Sequence, residues 1–307
     1  MADSPPPPAQ SKALVFARRS ASTLFLWGLV TAIFFSGKSW AMLALIGFLT
    51  MVATIEYFKM MRAAGVKCFP CFGIALAAVY SGFLYWRFQQ GGKSLPQDID
   101  ALAVFMAIAV PFTLQLRHPI RGMEALQAVA VNLLGFIYIA FLFNFAARVT
   151  FLAPGAADVP GLVGKSGAFL LLWLLAVTKF TDMGAYITGS MIGRHKMIPH
   201  VSPGKTWEGF GGALLFAQLA GCGLYALFPQ HLHFLTSWGH VIFLGVLLSV
   251  LAVIGDLAES VLKRSINAKD SGSMLPGIGG SLDLIDSICF TAPALYFYLR
   301  WVLLPAA

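Results

Sequence analysis

Long apolar runs separated by short polar stretches fill the chain from residue 21 to its end. A helix that crosses a bilayer needs about 20 mostly apolar residues. Nine runs of that kind follow one another, at 21–36, 40–58, 70–87, 101–116, 126–147, 167–190, 209–228, 239–262 and 284–304. The polar stretches between them are too short for a soluble domain, and no segment repeats another. The pattern predicts an all-α, polytopic integral membrane protein with about nine transmembrane helices. Three regions follow from it: a disordered cytoplasmic tail at 1–20, containing the run Pro5–Pro8; N-terminal transmembrane helices at 21–165; and at 166–307 a second set of transmembrane helices, whose polar connections hold most of the chemistry. Arg18 and Arg19 ahead of the first run resemble a signal peptide, but no A-x-A site follows, so the run reads as a first membrane anchor.

Composition sharpens this picture. The chain is 58% hydrophobic and 11% charged, whereas a soluble domain carries about 25% charged residues. The net charge of +8 follows membrane topology. With a cytoplasmic N-terminus, one side collects Lys12, Arg18, Arg19, Lys59, Arg62, Lys67, Arg117, Arg121, Arg194, Lys196, Lys205, Lys263, Arg264 and Lys269. The other side holds Lys38, Arg87, Lys93, Arg148, Lys165 and Arg300, and Lys179 lies within a run. That bias satisfies the positive-inside rule and places the connections after the sixth and eighth runs in the cytoplasm. No basic stretch stands apart from the apolar runs, so a nucleic-acid partner is not expected. Cys68 and Cys71 form a CxxC without a second pair to complete a zinc site, and the histidines of 231–240 read as interfacial.

Acidic residues are scarce, which makes their positions informative. Seven of the 13 lie from residue 182 onward: Asp182, Glu208, Asp256, Glu259, Asp270, Asp283 and Asp286. An ionisable side chain inside a span is costly and marks function by default. Lys179 and Asp182 share a helical face, where an ion pair that only fixes packing is the simpler alternative. Ala185, Gly189 and Gly193 follow at four-residue steps and suit close helix packing. Asp256, Glu259, Ser260 and Lys263 share one face at the end of the eighth run. Asp283 and Asp286 open the ninth, where the helix dipole alone favours acids. Carboxylates of this kind at one rim suit Mg²⁺, which takes oxygen ligands and shares them with substrate phosphates. The neighbouring Lys263, Arg264 and Lys269, with Gly272, Gly277, Gly279 and Gly280, suit the phosphates themselves. Nucleotidyl or phosphoryl transfer is the leading reading. The GKT at 204–206 is no P-loop, because Pro199 stands where a glycine is needed and a membrane helix precedes it.

These residues also carry a resemblance. Asp182-x-x-Ala185-Tyr186-x-x-Gly189, Ser202-Pro203-x-Lys205-Thr206-x-Glu208-Gly209, Gly255-Asp256, Ser260-x-x-Lys263-Arg264-x-x-x-x-Lys269-Asp270 and Pro276-Gly277-x-Gly279-Gly280-x-x-Asp283-x-x-Asp286-Ser287 are similar to the CTP:phosphatidate cytidylyltransferases, or CDP-diacylglycerol synthases, in order over about 182–287. The resemblance implies transfer of CMP from CTP to phosphatidate, giving CDP-diacylglycerol and pyrophosphate. It implies Mg²⁺ on Asp256, Asp283 and Asp286, with room for a second, monovalent ion. It implies catalytic roles for Lys205, Lys263, Arg264, Lys269 and Asp270. Substrate contacts fall on Asp182, Tyr186, Ser202, Thr206, Glu208, Ser260, Gly279 and Gly280. Expected partners are CTP and phosphatidate in the bilayer, with a homodimer left open, in a bacterial inner membrane with the site facing the cytoplasm. The sequence departs from the family at Ile278, commonly His, at Leu284, commonly Arg, and at one of two lysines around Gly204–Lys205. The alternatives are an ion-coupled transporter, a CTP-dependent transferase acting on another lipid, and a scaffold that has lost activity.

Overall fold

A computed structural model of the chain describes residues 28–34, 36, 38–91, 97–119, 121–152, 163–268, 271–272 and 280–304, and the side chains of all of these except 97 and 163–166. The numbered helices are α1 (Ser39–Ala63), α2 (Pro70–Gln89), α3 (Gln97–Gln115), α4 (Glu124–Gly135), α5 (Phe145–Leu152), α6 (Val163–Ile192), α7 (Trp207–Leu227), α8 (Trp238–Ser265) and α9 (Ser281–Tyr298). A π-helical stretch, Phe136–Phe141, links α4 and α5 into one span, Glu124–Leu152. Among the described residues, eight segments are long and apolar enough to cross a membrane. They coincide with eight of the nine expected runs. The remaining run, 21–36, is helical at 28–34 and 36, and its other residues, like the tail at 1–20, lie outside the described residues. Between α6 and α7 the chain forms a small antiparallel hairpin, β1 (Lys196–Ile198) and β2 (Ser202–Thr206), pairing Lys196 with Thr206 and Ile198 with Ser202. The sequence pattern reads this stretch only as a polar connection, because three- and five-residue strands carry too few alternations to register.

The packing is that of a protein in lipid. Trp173, Tyr57, Phe58, Phe136 and Phe145 are completely enclosed, while Trp40, Phe48, Val79, Phe105 and Leu219 are exposed on helix exteriors, where acyl chains would meet them. Thr50, Thr54 and Thr178 are buried, and each hydroxyl donates to the carbonyl four residues earlier, which satisfies these three in an apolar setting. The stripe of small residues on α6 performs the packing expected of it. A Cβ on Gly184 would fall 2.6 Å from the Gly212 carbonyl oxygen, and one on Gly209 would fall 2.9 Å from the Ala185 carbonyl oxygen. α6 and α7 therefore touch backbone to backbone, which only glycine permits.

Charged contacts pin opposite ends of the bundle. At one rim, Lys67 pairs with Glu124 at 3.5 Å. At the other, Arg148 of α5 donates to both carboxylate oxygens of Asp100 on α3, at 2.9 and 2.6 Å, and to the Tyr80 hydroxyl at 2.6 Å. Its guanidinium also lies over the Phe145 ring, 4.8 Å from the centroid. A buried charge stripped of its partner destabilises strongly, by about 3–5 kcal/mol. The Asp100→Leu protein is expected to unfold at a lower temperature than the parent in detergent, with a loss of about 3 kcal/mol because Asp100 is partly exposed. An unchanged thermal midpoint would show that Arg148 finds its stabilisation elsewhere.

Candidate functional site

The site begins with a missing side chain. Gly255 of α8 lies so close to α9 that a Cβ there would fall 2.8 Å from the Asp286 carbonyl oxygen and 2.8 Å from Ser287 Cα. The next residue on α8, Asp256, is thereby set beside Asp286, and Glu259 follows one turn later on the same face. Carboxylate oxygens of Asp256, Glu259 and Asp286 all lie within 4.8 Å of one another. Glu259 is 1% exposed and Asp286 4%. Oε1 of Glu259 is buried and has no hydrogen-bond partner. An unpartnered buried carboxylate oxygen is expensive, and the three carboxylates are close enough to share one cation.

Lysines surround this cluster. Lys263 donates to Glu259 Oε2 at 2.7 Å and to Asp283 Oδ1 at 2.8 Å, tying the end of α8 to the start of α9. Lys205, on β2, reaches Asp256 Oδ2 at 2.5 Å and donates to the Val253 carbonyl oxygen at 3.3 Å. The hairpin packs against α6 and α7, and its lysine side chain reaches across to α8 and the cluster. Lys179 of α6 donates to the Leu284 carbonyl oxygen at 3.0 Å and sits 3.7 Å from Asp182. Asp182 is near enough to Asp256 and Lys205 to interact electrostatically with both, and Asp286 interacts likewise with Lys179 and Asp256. Three helices and one hairpin therefore bring five acids and three lysines into one polar site within an apolar bundle.

The sequence-predicted residues divide by what they touch. Asp256 and Asp286 come together as expected, and the third member of their group is Glu259. Asp283 stands alongside: its Oδ2 accepts from the Ser271 hydroxyl at 2.7 Å and from the Gly280 amide at 3.1 Å, so it caps its own helix as well as holding Lys263. Thr206 caps α7 by accepting from the Gly209 amide at 3.1 Å. Glu208 accepts from the backbone amides of Arg194 and His195 and contacts His195 Nδ1 at 2.5 Å, which closes the hairpin. Ser202 lies in β2 and Ser260 on α8, both partly buried, while Arg264 is exposed at the end of α8. Tyr186 is 77% exposed on α6. Lys269, Asp270 and Gly279, with the departure at Ile278, lie outside the described residues.

Sequence reasoning missed Glu56. This α1 carboxylate is 2% exposed, and it accepts from the backbone amides of Ser281 and Leu282 at the N-terminus of α9. The first span thereby fixes the start of the helix that carries Asp283 and Asp286. A signal was present, since Glu56 is an acid inside the run 40–58 and a charge in a span marks function. Its position, far from the cluster in sequence, hid the connection.

The arrangement can hold a divalent cation on carboxylate oxygen and anionic phosphate on lysine ammonium groups, at the end of a bundle that contacts lipid on its flanks. Comparison with known proteins agrees with that chemistry. The chain is 31% identical over 281 residues to the phosphatidate cytidylyltransferase of Synechocystis sp., covering 85% of this chain and 88% of that protein. It is 29% identical over 250 residues to the phosphatidate cytidylyltransferase of Bacillus subtilis, covering 81% and 86%. It is also 30% identical over 280 residues to the uncharacterised protein YnbB of Escherichia coli, covering 90% and 85%. The model of the cytidylyltransferase family matches residues 17–302, so nearly the whole bundle is accounted for, and the chain belongs to the cytidylyltransferase family.

Proposed function

We propose that the chain transfers CMP from CTP to phosphatidate, giving CDP-diacylglycerol and pyrophosphate. The observation that carries this reading is the three-carboxylate group of Asp256, Glu259 and Asp286 bordered by Lys205 and Lys263, in a bundle with lipid-facing flanks. The phosphate monoester of phosphatidate has a second pKa near 6 and is mostly dianionic at neutral pH, so it attacks without a general base. A bond forms between its oxygen and the α-phosphorus of CTP, the bond from that phosphorus to the pyrophosphate oxygen breaks, and pyrophosphate leaves. The obstacle is the meeting of two anions, and catalysis is mainly positioning and charge neutralisation.

The unpartnered Glu259 Oε1 and its two neighbouring carboxylates fit Mg²⁺, a hard cation that takes oxygen ligands. Asp256, Glu259 and Asp286 would hold it, and it would supply Lewis-acid stabilisation of phosphate charge. Asp283 fixes Lys263 at that rim and keeps its ammonium directed into the site. Lys205 and Lys263 neutralise the phosphates. Asp182 holds Lys179 beside α9. The basic residues concentrated on the connections after α6 and α8 support a cytoplasmic orientation in a bacterial inner membrane, where CTP is available.

Three outcomes test this reading. Purified protein is expected to release pyrophosphate only when CTP, phosphatidate and Mg²⁺ are all present, and Asp256→Asn and Asp286→Asn should each lower kcat by on the order of 10²–10³-fold. Release without phosphatidate, or wild-type turnover in either variant, would refute the assignment. Glu56→Ala is expected to lower kcat by about 10–100-fold through misplacement of α9, with Glu56→Gln, which keeps a carbonyl acceptor, recovering part of the loss. Equal activity of the two variants would remove Glu56 from the machinery. A cysteine in place of exposed Gly204, in a chain with its four native cysteines replaced, should react with a membrane-impermeant maleimide only when the cytoplasmic face is open. Labelling of intact cells would reverse the orientation.

A further inference from the structure

An apolar crevice of about 300 Å³ runs along the bundle between residues 30–34, α1, α5, α6 and α9. Its α6 wall is formed by Ala168, Leu171, Leu175 and Lys179, spaced three or four residues apart, which is a single stripe along the helix. At 1.5 Å per residue this stripe is roughly 16 Å long, about half of a hydrocarbon core some 30 Å thick. The crevice is therefore about as long as one leaflet is deep. α1 contributes Met42, Leu45, Ile46 and Leu49 to the walls, and α9 contributes Leu284, Ile285 and Ile288.

One end differs from the rest. Among the described residues lining the crevice Lys179 is the single charged one, and it lies at the end nearest the carboxylate cluster. On α9, the lining residues Leu284 and Ile285 sit between Asp283 and Asp286 in sequence, so the same helical turn that enters the polar site closes the crevice. A cation at the head of an apolar slot one leaflet deep, opening beside a phosphate-handling site, matches one kind of occupant. We propose that this crevice receives an acyl chain of the lipid substrate, with the phosphate monoester headgroup drawn toward Lys179 and the carboxylate site. The proposal rests on the reading of the site as a lipid-phosphate transferase and names the subsite that selects the tail. Leu172, partly buried on the same wall, marks the middle of the slot.

Two measurements test it. The first does not depend on turnover. The purified full chain in vesicles is irradiated with phosphatidate carrying a diazirine near the end of one acyl chain, or with phosphatidylcholine carrying the same tail. Phosphatidate should label residues of the crevice several-fold more than phosphatidylcholine does. Equal labelling by both lipids would mean that the crevice holds bulk lipid, and labelling elsewhere only would mean that it holds none; either overturns the proposal. The second compares KM for dioleoyl and dioctanoyl phosphatidate. Leu172→Trp should raise the ratio of the two about tenfold, since apolar pockets discriminate by about 10–200-fold per methylene-sized change. Leu45→Trp, on the facing wall, should do the same, which guards against a variant that misfolds. A proportionate loss for both lipids would indicate a packing defect and refute tail selection. If the parent labels selectively in the crevice yet makes no CDP-diacylglycerol, the substrate reading fails while the lipid site stands.

Discussion

At Gly255 the backbones of two membrane helices meet without a side chain between them, and the consequence is electrostatic. Asp256 and Asp286 are pressed into the same polar space, with buried Glu259 one turn away. Like charges in a medium of low dielectric repel strongly. The surrounding structure answers with cations from three separate elements: Lys205 from the hairpin, Lys263 from α8 and Lys179 from α6. The same excess of acid over base within the cluster leaves it suited to a further positive charge. Much of the polar structure in the second half of the molecule can be understood as the cost of holding those carboxylates together.

The N-terminal spans take part in this arrangement. Glu56 binds the first amides of α9, where the helix dipole presents partial positive charge. Removing the Glu56 carboxylate would leave two amides without acceptors and free the start of α9 to shift. A Cβ on Gly272 would also collide with the Glu56 side chain, so Gly272 packs directly against this residue. The apolar slot that ends at Lys179 is walled by α1 and α9 together. A contact that fixes these two helices relative to each other therefore fixes the polar site and the slot at once.

Legibility followed the range of the interaction. Asp256 and Asp286 could be singled out because a carboxylate in an apolar run has few explanations, and Lys205 and Lys263 because they lie within motif stretches. Thr206 and Glu208 were equally visible, yet their side chains cap α7 and close the hairpin. A residue that positions a motif and one that acts from it occupy the same stretch of sequence. Glu259 was on the right helical face but indistinguishable in kind from Asp256, and only burial separated them.

The sequence by itself determined the all-α membrane fold, the approximate spans and the gathering of most acidic residues in the last part of the chain. Those properties depend on local composition, since lipid demands about 20 apolar residues per crossing and penalises every charge placed there. The tertiary structure alone decided which carboxylates converge, that Asp283 holds Lys263 and caps its own helix, that Glu56 reaches α9 across more than 200 residues, and that apolar residues from separate segments enclose a slot. Those facts depend on how helices pack against one another, and packing is set by pairs of surfaces distant in sequence. No single segment carries the information for the contact it will make.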